Sequence, residues 1–500
     1  MKSEIVVGID SSTTATKAIA WDYSGRKIGE GSYPIGLKSP HPNYYEQNSD
    51  DWWNSTVEAL RKLTQQVDNS HISALSISNQ RETFVGLDKN GIPVRPAITW
   101  LDERCKSHVD RFAAIIGEDR IHKITGKPKD YAPVVYRLAW MKDMENELYS
   151  RVCKFCDVHT FLVYKLTGLF RTSWASADPL GMLDIENKKW SDELLFHLGI
   201  TSDHLPEVFP PGTVLGYLTG EAAEVTGLKA GTKVVAGGGD GQVAGLGVNA
   251  LRPGRAYLNL GTAVVSGTYS EQCIIDRSFR TMTSCSESGY YCETSLRSGT
   301  FLIDWFIKQA LKIDPVLYPD IYQQLEKEAK EIEPGSEGVM VLPYWNAVMN
   351  PYWDPEARGC IIGLSSGHHR GHLFRAILEG IAMEQTLATM AVEKATGKLT
   401  GEYSLIGGGA RNELWCQIIA DVSGKQVLNM STEEASALGA GISAAVAAGW
   451  FDTFDEAADR MVSVKNTLKP VTRHTEIYRN ILNMYSKIYP AVKDLSKKGI

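Results

Sequence analysis

Two stretches half a chain apart share one pattern, GIDSSTTATKAIAWD at residues 8–22 and AYLNLGTAVVSGTYS at residues 256–270. In each, an apolar strand breaks at a turn of glycine, serine and threonine and returns as a second strand. A chain of 500 residues is too long for one folding unit. The repeat therefore predicts two domains of common ancestry, residues 1–246 and 247–500.

Between these landmarks strand and helix alternate, which sets the class as α/β. The opening strands form a meander with a turn at Tyr23 to Gly25, and the apolar spacing after Asp50 predicts a helix. A short buried strand follows near Ile72, then a hairpin turning at Asn90 and Gly91. The run from Arg151 to Gly168, which contains Cys153 and Cys156, reads as helical throughout. The last residues, Lys493 to Ile500, read as a frayed, solvated end.

Composition removes several classes of function. Lys and Arg number 52 against 59 Asp and Glu, a net charge of -7, so nothing attracts a polyanion and a nucleic-acid partner is not expected. No segment has the length of a membrane span or a signal h-region, which predicts a cytoplasmic protein with no membrane partner. The eight cysteines are scattered too widely for a disulfide framework. Cys153 and Cys156, with His159 nearby, lack the fourth ligand of a tetrahedral zinc site.

Three turns, at Asp10 to Thr14, Gly261 to Thr262 and Gly407 to Asn412, each follow a predicted strand. Glycine lets the backbone approach an oxyanion, while hydroxyls and N–H groups donate to it, so together they point to nucleotide phosphates. The P-loop pattern G-x-x-x-x-G-K-S/T is absent. Gly439, Gly441 and Ala444 spell a G-x-G-x-x-A string, but inside a helical stretch, where close packing explains it better. Asp240 ends the strand VVAGGG at the open end of a sheet, as a proton acceptor would, or as the cap of the next helix. GLSSG at 363–367 matches a nucleophile elbow, yet only His474 follows Asp421, Asp452 and Asp455 in triad order.

Taken together, these segments resemble the FGGY family of carbohydrate kinases. GIDSSTTATK resembles the family's first phosphate turn, with Ser12 where glycine is usual. YEQNSDDWW, SNQRETFVGLDKNGIPVRPAITWLDER, LTG at 166–168 and VVAGGGDGQVAGLG follow in the family's order. A second signature is met by Gly359, Ile361, Gly363, Leu364, His372, Leu373, Ala376 and Glu379. The first is met imperfectly, with Arg137 where a lysine is commoner.

The resemblance implies two ribonuclease H-like, actin-type ATPase domains with a catalytic cleft between them, closing about a hinge near residues 246–256. It implies ATP and Mg²⁺ as cofactors and a small sugar or polyol as acceptor. Asp240 would be the general base, sharing Mg²⁺ with Asp10 through water. Thr13, Thr14 and Lys17 would face the transferring phosphate, Gly261 and Thr262 a second phosphate, and Gly299, Gly409 and Asn412 the nucleoside. Arg81, Glu82, Trp100 and Tyr131 would contact the acceptor together with Asp240. Among acceptors a ketopentose such as xylulose is preferred over glycerol or a tetritol, because NQRET at 79–83 resembles glycerol kinase whereas VVAGGGD, LGTA and IGGGARN resemble xylulokinases. An actin-like ATPase without a sugar is the alternative of another class. A homodimer is among the expectations.

Overall fold

The computed structural model describes residues 4–497. The N-terminal half is built on strands β1 (Ile5–Ser11), β2 (Ala15–Trp21), β3 (Lys27–Pro34), β4 (Ile72–Asn79), β5 (Val214–Tyr217) and β6 (Lys233–Gly239). They form one sheet in the order β5-β6-β4-β1-β2-β3, in which β1, β4 and β6 run parallel and the hairpin strands antiparallel.

The second half repeats this plan. Strands β7 (Arg255–Leu260), β8 (Val264–Ser270), β9 (Arg280–Thr283), β10 (Tyr290–Leu296), β11 (Glu402–Ile406), β12 (Gln426–Met430) and β13 (Val464–Leu468) order as β9-β10-β8-β7-β11-β12-β13. The segments β3-β2-β1-β4-β6 and β10-β8-β7-β11-β12 share one topology, so the repeated strand-turn-strand pattern marks equivalent places in two equivalent sheets.

Helix α1 (Ser49–Thr64) shows why the local sequence folds as it does. Asn48 caps it, Asp50 and Asp51 occupy its first turn, Arg61 and Lys62 its last, and Trp52, Ala59, Leu60 and Leu63 form its buried face. Each large apolar side chain on that face contributes about 1.5–3 kcal/mol by leaving water. Further along come α2 (Val134–Met144), α3 (Asp240–Gly247), α4 (Arg370–Thr396), α5 (Glu413–Ser423), α6 (Ala435–Ala448) and α7 (Phe454–Met461).

Helix α6 belongs by sequence to the second half but packs on the first sheet. A Cβ at Gly8 of β1 would lie 1.8 Å from the Ala437 carbonyl oxygen, and one at Gly439 would lie 2.0 Å from that of Val243 in α3. Small residues in ASALGAGISAAVAA thus bring α3, α6 and β1 into backbone contact, which is the role of the G-x-G-x-x-A string. The two halves interlock through this helix.

One local expectation fails. The stretch around the two cysteines is not helical throughout: Lys154–Asp157 is a strand paired with Phe84–Leu87, and the helix Val158–Thr167 begins only after Asp157, which caps it by accepting the Thr160 N–H at 2.9 Å. Pairing with a neighbouring strand and the acidic cap override the apolar run. The helix Ile488–Lys497 carries the terminal segment, whose last three residues lie outside the described region. Among the described residues no helix is long and apolar enough to cross a membrane.

Candidate active site

The site begins where β1 and β2 meet. Asp10 and Lys17 are cross-strand partners, and the intervening turn closes by Ser12 N–H donating to the Ala15 carbonyl at 3.0 Å. Serine takes the usual glycine position without a left-handed backbone. The Thr13 carbonyl accepts from Gln47 at 2.7 Å, and its hydroxyl accepts from Trp100 Nε1 at 2.9 Å. The Thr14 carbonyl accepts from the Ile35 N–H at 2.8 Å, and Lys17 pairs with Glu434 at 2.6 Å, directly before α6.

Ser78 donates to Asp10 Oδ1 at 3.0 Å. Burial, and then the neighbouring Asp240 carboxylate, raise the Asp10 carboxyl to about 7. These two hard-oxygen groups suit Mg²⁺. Among the described residues no cluster of three or more metal-binding side chains exists.

Asp240 opens α3. Gly239 occupies the cap position, and the Asp240 Oδ1 accepts the Gly241 N–H at 2.8 Å, a contact with its own neighbour rather than a bond that caps the turn. Its carboxylate stays at the positive end of the helix, 48% exposed toward the cleft. Arg81 Nε lies 3.0 Å from the same oxygen. The glycines beside Asp240 admit this arginine: a Cβ at Gly239 would lie 2.5 Å from Arg81 Cγ, and one at Gly241 would lie 3.2 Å from Arg81 Cζ.

Behind Arg81 lies a buried charge network that crosses between the halves. Arg81 reaches Glu293 of β10 at 2.8 Å, Arg280 of β9 bonds both Glu293 and Glu82, the latter at 3.1 Å, and the Tyr257 hydroxyl donates to Glu293 at 2.8 Å. Burial alone would raise the Glu293 carboxyl, but Arg81 and Arg280 hold it down at about 2. Glu82 has a left-handed φ of 49°, and Arg137 of α2 donates to its carbonyl at 2.6 Å, to that of Ala132 at 2.8 Å and to that of Trp100 at 3.2 Å. One guanidinium thus ties three loops together. Tyr131 stands apart from the network, its ring 4.9 Å from the Arg297 guanidinium.

The remaining turns gather at the end of β7. Gly299 N–H donates to the Thr262 carbonyl at 2.8 Å, and a Cβ at Gly299 would lie 2.4 Å from the Gly261 carbonyl oxygen. Gly409 packs on Leu260 and Trp415, leaving no room for a larger residue. Asn412 caps α5, accepting the Trp415 N–H at 2.8 Å, so its side chain is already engaged.

Sequence reasoning missed Arg280, Glu293 and Tyr257. The available signal was a single charge inside each of two otherwise apolar or hydroxyl-bearing strands, RTMT and YYCETSL, which a strand tolerates only when that charge is paired. One reading weighed from sequence falls away. Ser365 faces His368, whereas His474 pairs with Asp421 at 2.8 Å, so no triad assembles around GLSSG. Glu379 of the second signature is a structural hub, accepting from Gly335, Ser336, Arg375 and Tyr478.

Comparison with known proteins agrees with this architecture. A xylulose kinase of Bacillus subtilis is 29% identical over 98% of each chain. The gluconate kinase from Lactobacillus acidophilus matches with a TM-score of 0.93 at 25% identity over 99% of both chains. The ligand-bound xylulose kinase from the same organism matches with a TM-score of 0.92 at 26% identity over 98% of both. Residues 5–247 match the N-terminal domain and residues 256–448 the C-terminal domain of one family, which sets aside an actin-like ATPase without a sugar. The chain belongs to the FGGY family of carbohydrate kinases and is an ATP-dependent sugar kinase.

Proposed function

We propose that the acceptor is a neutral ketopentose such as xylulose, and that Asp240 is the general base. The observation that carries the acceptor reading is the pairing of the two pocket arginines. Arg81 is shared by Asp240 and Glu293, and Arg280 by Glu82 and Glu293, so three carboxylates surround two guanidiniums. An aldonic acid such as gluconate would bring a fourth carboxylate to two guanidiniums already shared among three. A neutral sugar meets no such penalty. Glycerol or a tetritol is the second reading, favoured by the Arg81 and Glu82 pair within NQRET.

Phosphoryl transfer requires alignment and charge neutralisation. Both protein contacts to Asp240 fall on Oδ1, which leaves Oδ2 to orient the acceptor hydroxyl and take its proton. Arg81, Glu82 and Trp100 would border the acceptor, with Tyr131 at the rim beside Arg297. Trp100 would also register acceptor against phosphate through Thr13. Thr13, Thr14 and Lys17 would face the transferring phosphate, Gly261 and Thr262 a second phosphate, and Gly299, Gly409 and Asn412 the nucleoside. Asp10 and Asp240 would hold Mg²⁺ through water. Bound there, the ion would offset negative charge on the polyphosphate.

ADP release against a panel of ketopentoses, aldopentoses, glycerol, tetritols and gluconate tests the reading. A ketopentose should give the highest kcat/KM, and gluconate as the best acceptor would overturn it.

A further inference from the structure

A cavity of about 110 Å³ lies in the second half, bordered by α4, the segment 342–352 and the C-terminal helices. None of its lining residues belongs to the phosphate turns or to the charge network. It is smaller than the roughly 300–1,000 Å³ of usual ligand pockets, so it suits a head group rather than a nucleotide or a sugar phosphate.

Its walls are Tyr344, Tyr352, Tyr485 and Tyr489, and Glu384 of α4 faces into it. Three of the rings form a connected set, with centroids 5.1 Å apart for Tyr344 and Tyr489 and 4.5 Å for Tyr352 and Tyr489. Tyr344, Tyr485 and Tyr489 are buried, while Tyr352 is 44% exposed and stands at the mouth.

Among the described residues no ion pair involves the carboxylate among these rings. Burial raises Glu384 to about 7, opposed only by the hydroxyls of Tyr344 and Tyr485. The Tyr485 hydroxyl is itself divided, also reaching the carbonyls of Val341 at 3.1 Å and Gly380 at 3.3 Å. A carboxyl withdrawn from water either takes up a proton or, as the carboxylate, favours a cation. Ring faces carry negative potential and attract cations, most strongly organic ammonium ions that shed water readily.

We infer that this cavity binds a small organic ammonium ion, its charge on Glu384 and its alkyl groups against the tyrosine rings. Asn350 in its wall accepts the Ser295 N–H at 2.7 Å, on the strand that carries Glu293.

The test is calorimetric titration of the full chain with methylammonium and trimethylammonium chlorides, with tert-butanol as a neutral match in shape. Trimethylammonium should bind at least about tenfold more tightly than tert-butanol. Glu384→Gln, close in shape to the protonated acid, should weaken it by a similar factor. Tyr352→Ala alters only the mouth and should weaken it too, which keeps the question open to measurement if the Gln variant does not fold. Equal binding of tert-butanol, unchanged affinity in both variants, or no heat with either ammonium would overturn the inference. Displacement by potassium at equal concentration would overturn the organic character of the ligand.

Discussion

Arg81 touches Asp240 through Nε at 3.0 Å while its other end is drawn to Glu293 at 2.8 Å, so the side chain that steadies the proposed base is itself held from the opposite half of the molecule. The network around Arg81 is therefore a joint product of both halves. Glu82 and Arg81 come from the loop after β4, Arg280 and Glu293 from β9 and β10, and each member of the first pair finds a counter-charge in the second. A further clasp reinforces this joint. The buried pair of Lys127 and Asp178 grips β9, Lys127 donating to the Thr281 carbonyl at 2.7 Å and Asp178 accepting the Thr283 N–H at 2.8 Å.

The first prediction concerns the base. Asp240→Asn keeps the shape and the Arg81 contact but cannot accept a proton, so kcat should fall by roughly 10² to 10⁴. Binding of ATP and acceptor, measured by calorimetry, should persist. A purely structural Asp240 would instead leave kcat within about threefold of the parent, because no capping bond is lost.

The second concerns selectivity. In Glu293→Gln the two arginines lose a shared counter-charge, and the pocket gains one positive unit. The ratio of kcat/KM for an aldonic acid to that for the best neutral acceptor should rise by about tenfold, with the KM for ATP unchanged. Breaking a buried ion pair costs about 3–5 kcal/mol, so thermal stability should also fall. A loss of stability with an unmoved acceptor ratio would confine Glu293 to folding.

The two sheets were legible in the sequence because their strands are bounded by turn residues and repeat one pattern. Asp10 and Asp240 stood out because each ends an apolar strand, whereas Arg81 came only from the family resemblance. Arg280 and Glu293 were not, because only tertiary pairing reveals whether a charge in a strand faces solvent or a partner. The placement of α6 on the first sheet was hidden for a related reason: small residues in a helix announce close packing but not against what.

The third prediction follows from His159. This buried ring accepts the Gly237 N–H at 3.2 Å on β6, close to Asp240, and burial lowers its pKa to about 3. Between about 3 and the ordinary 6.5 the unfolded chain binds the proton and the folded one does not. Stability should therefore be lost as pH falls below about 6.5, by about 1.4 kcal/mol per unit for this group. His159→Gln retains an acceptor for Gly237 and does not titrate, so its melting temperature should decline less between pH 7.5 and 5. Parallel declines would assign acid sensitivity to other groups.

The last prediction uses the ion pair between Lys17 and Glu434, which crosses from the first phosphate turn to the segment leading into α6 at 2.6 Å. The pair is partly exposed, 43% and 27% for the two side chains, and contacts of that kind stabilise by only about 0–1 kcal/mol. An incoming phosphate bonds a lysine more strongly, so if Lys17 faces the transferring phosphate, ATP must displace Glu434 from it. The two single variants should then move in opposite directions. Lys17→Ala should raise the KM for ATP by about tenfold or more, while Glu434→Gln, which removes the competitor, should lower it by up to about threefold. Acceptor KM should stay the same in both. If both variants raise the KM for ATP, the pair serves to hold the turn in shape, and Lys17 does not turn toward the nucleotide.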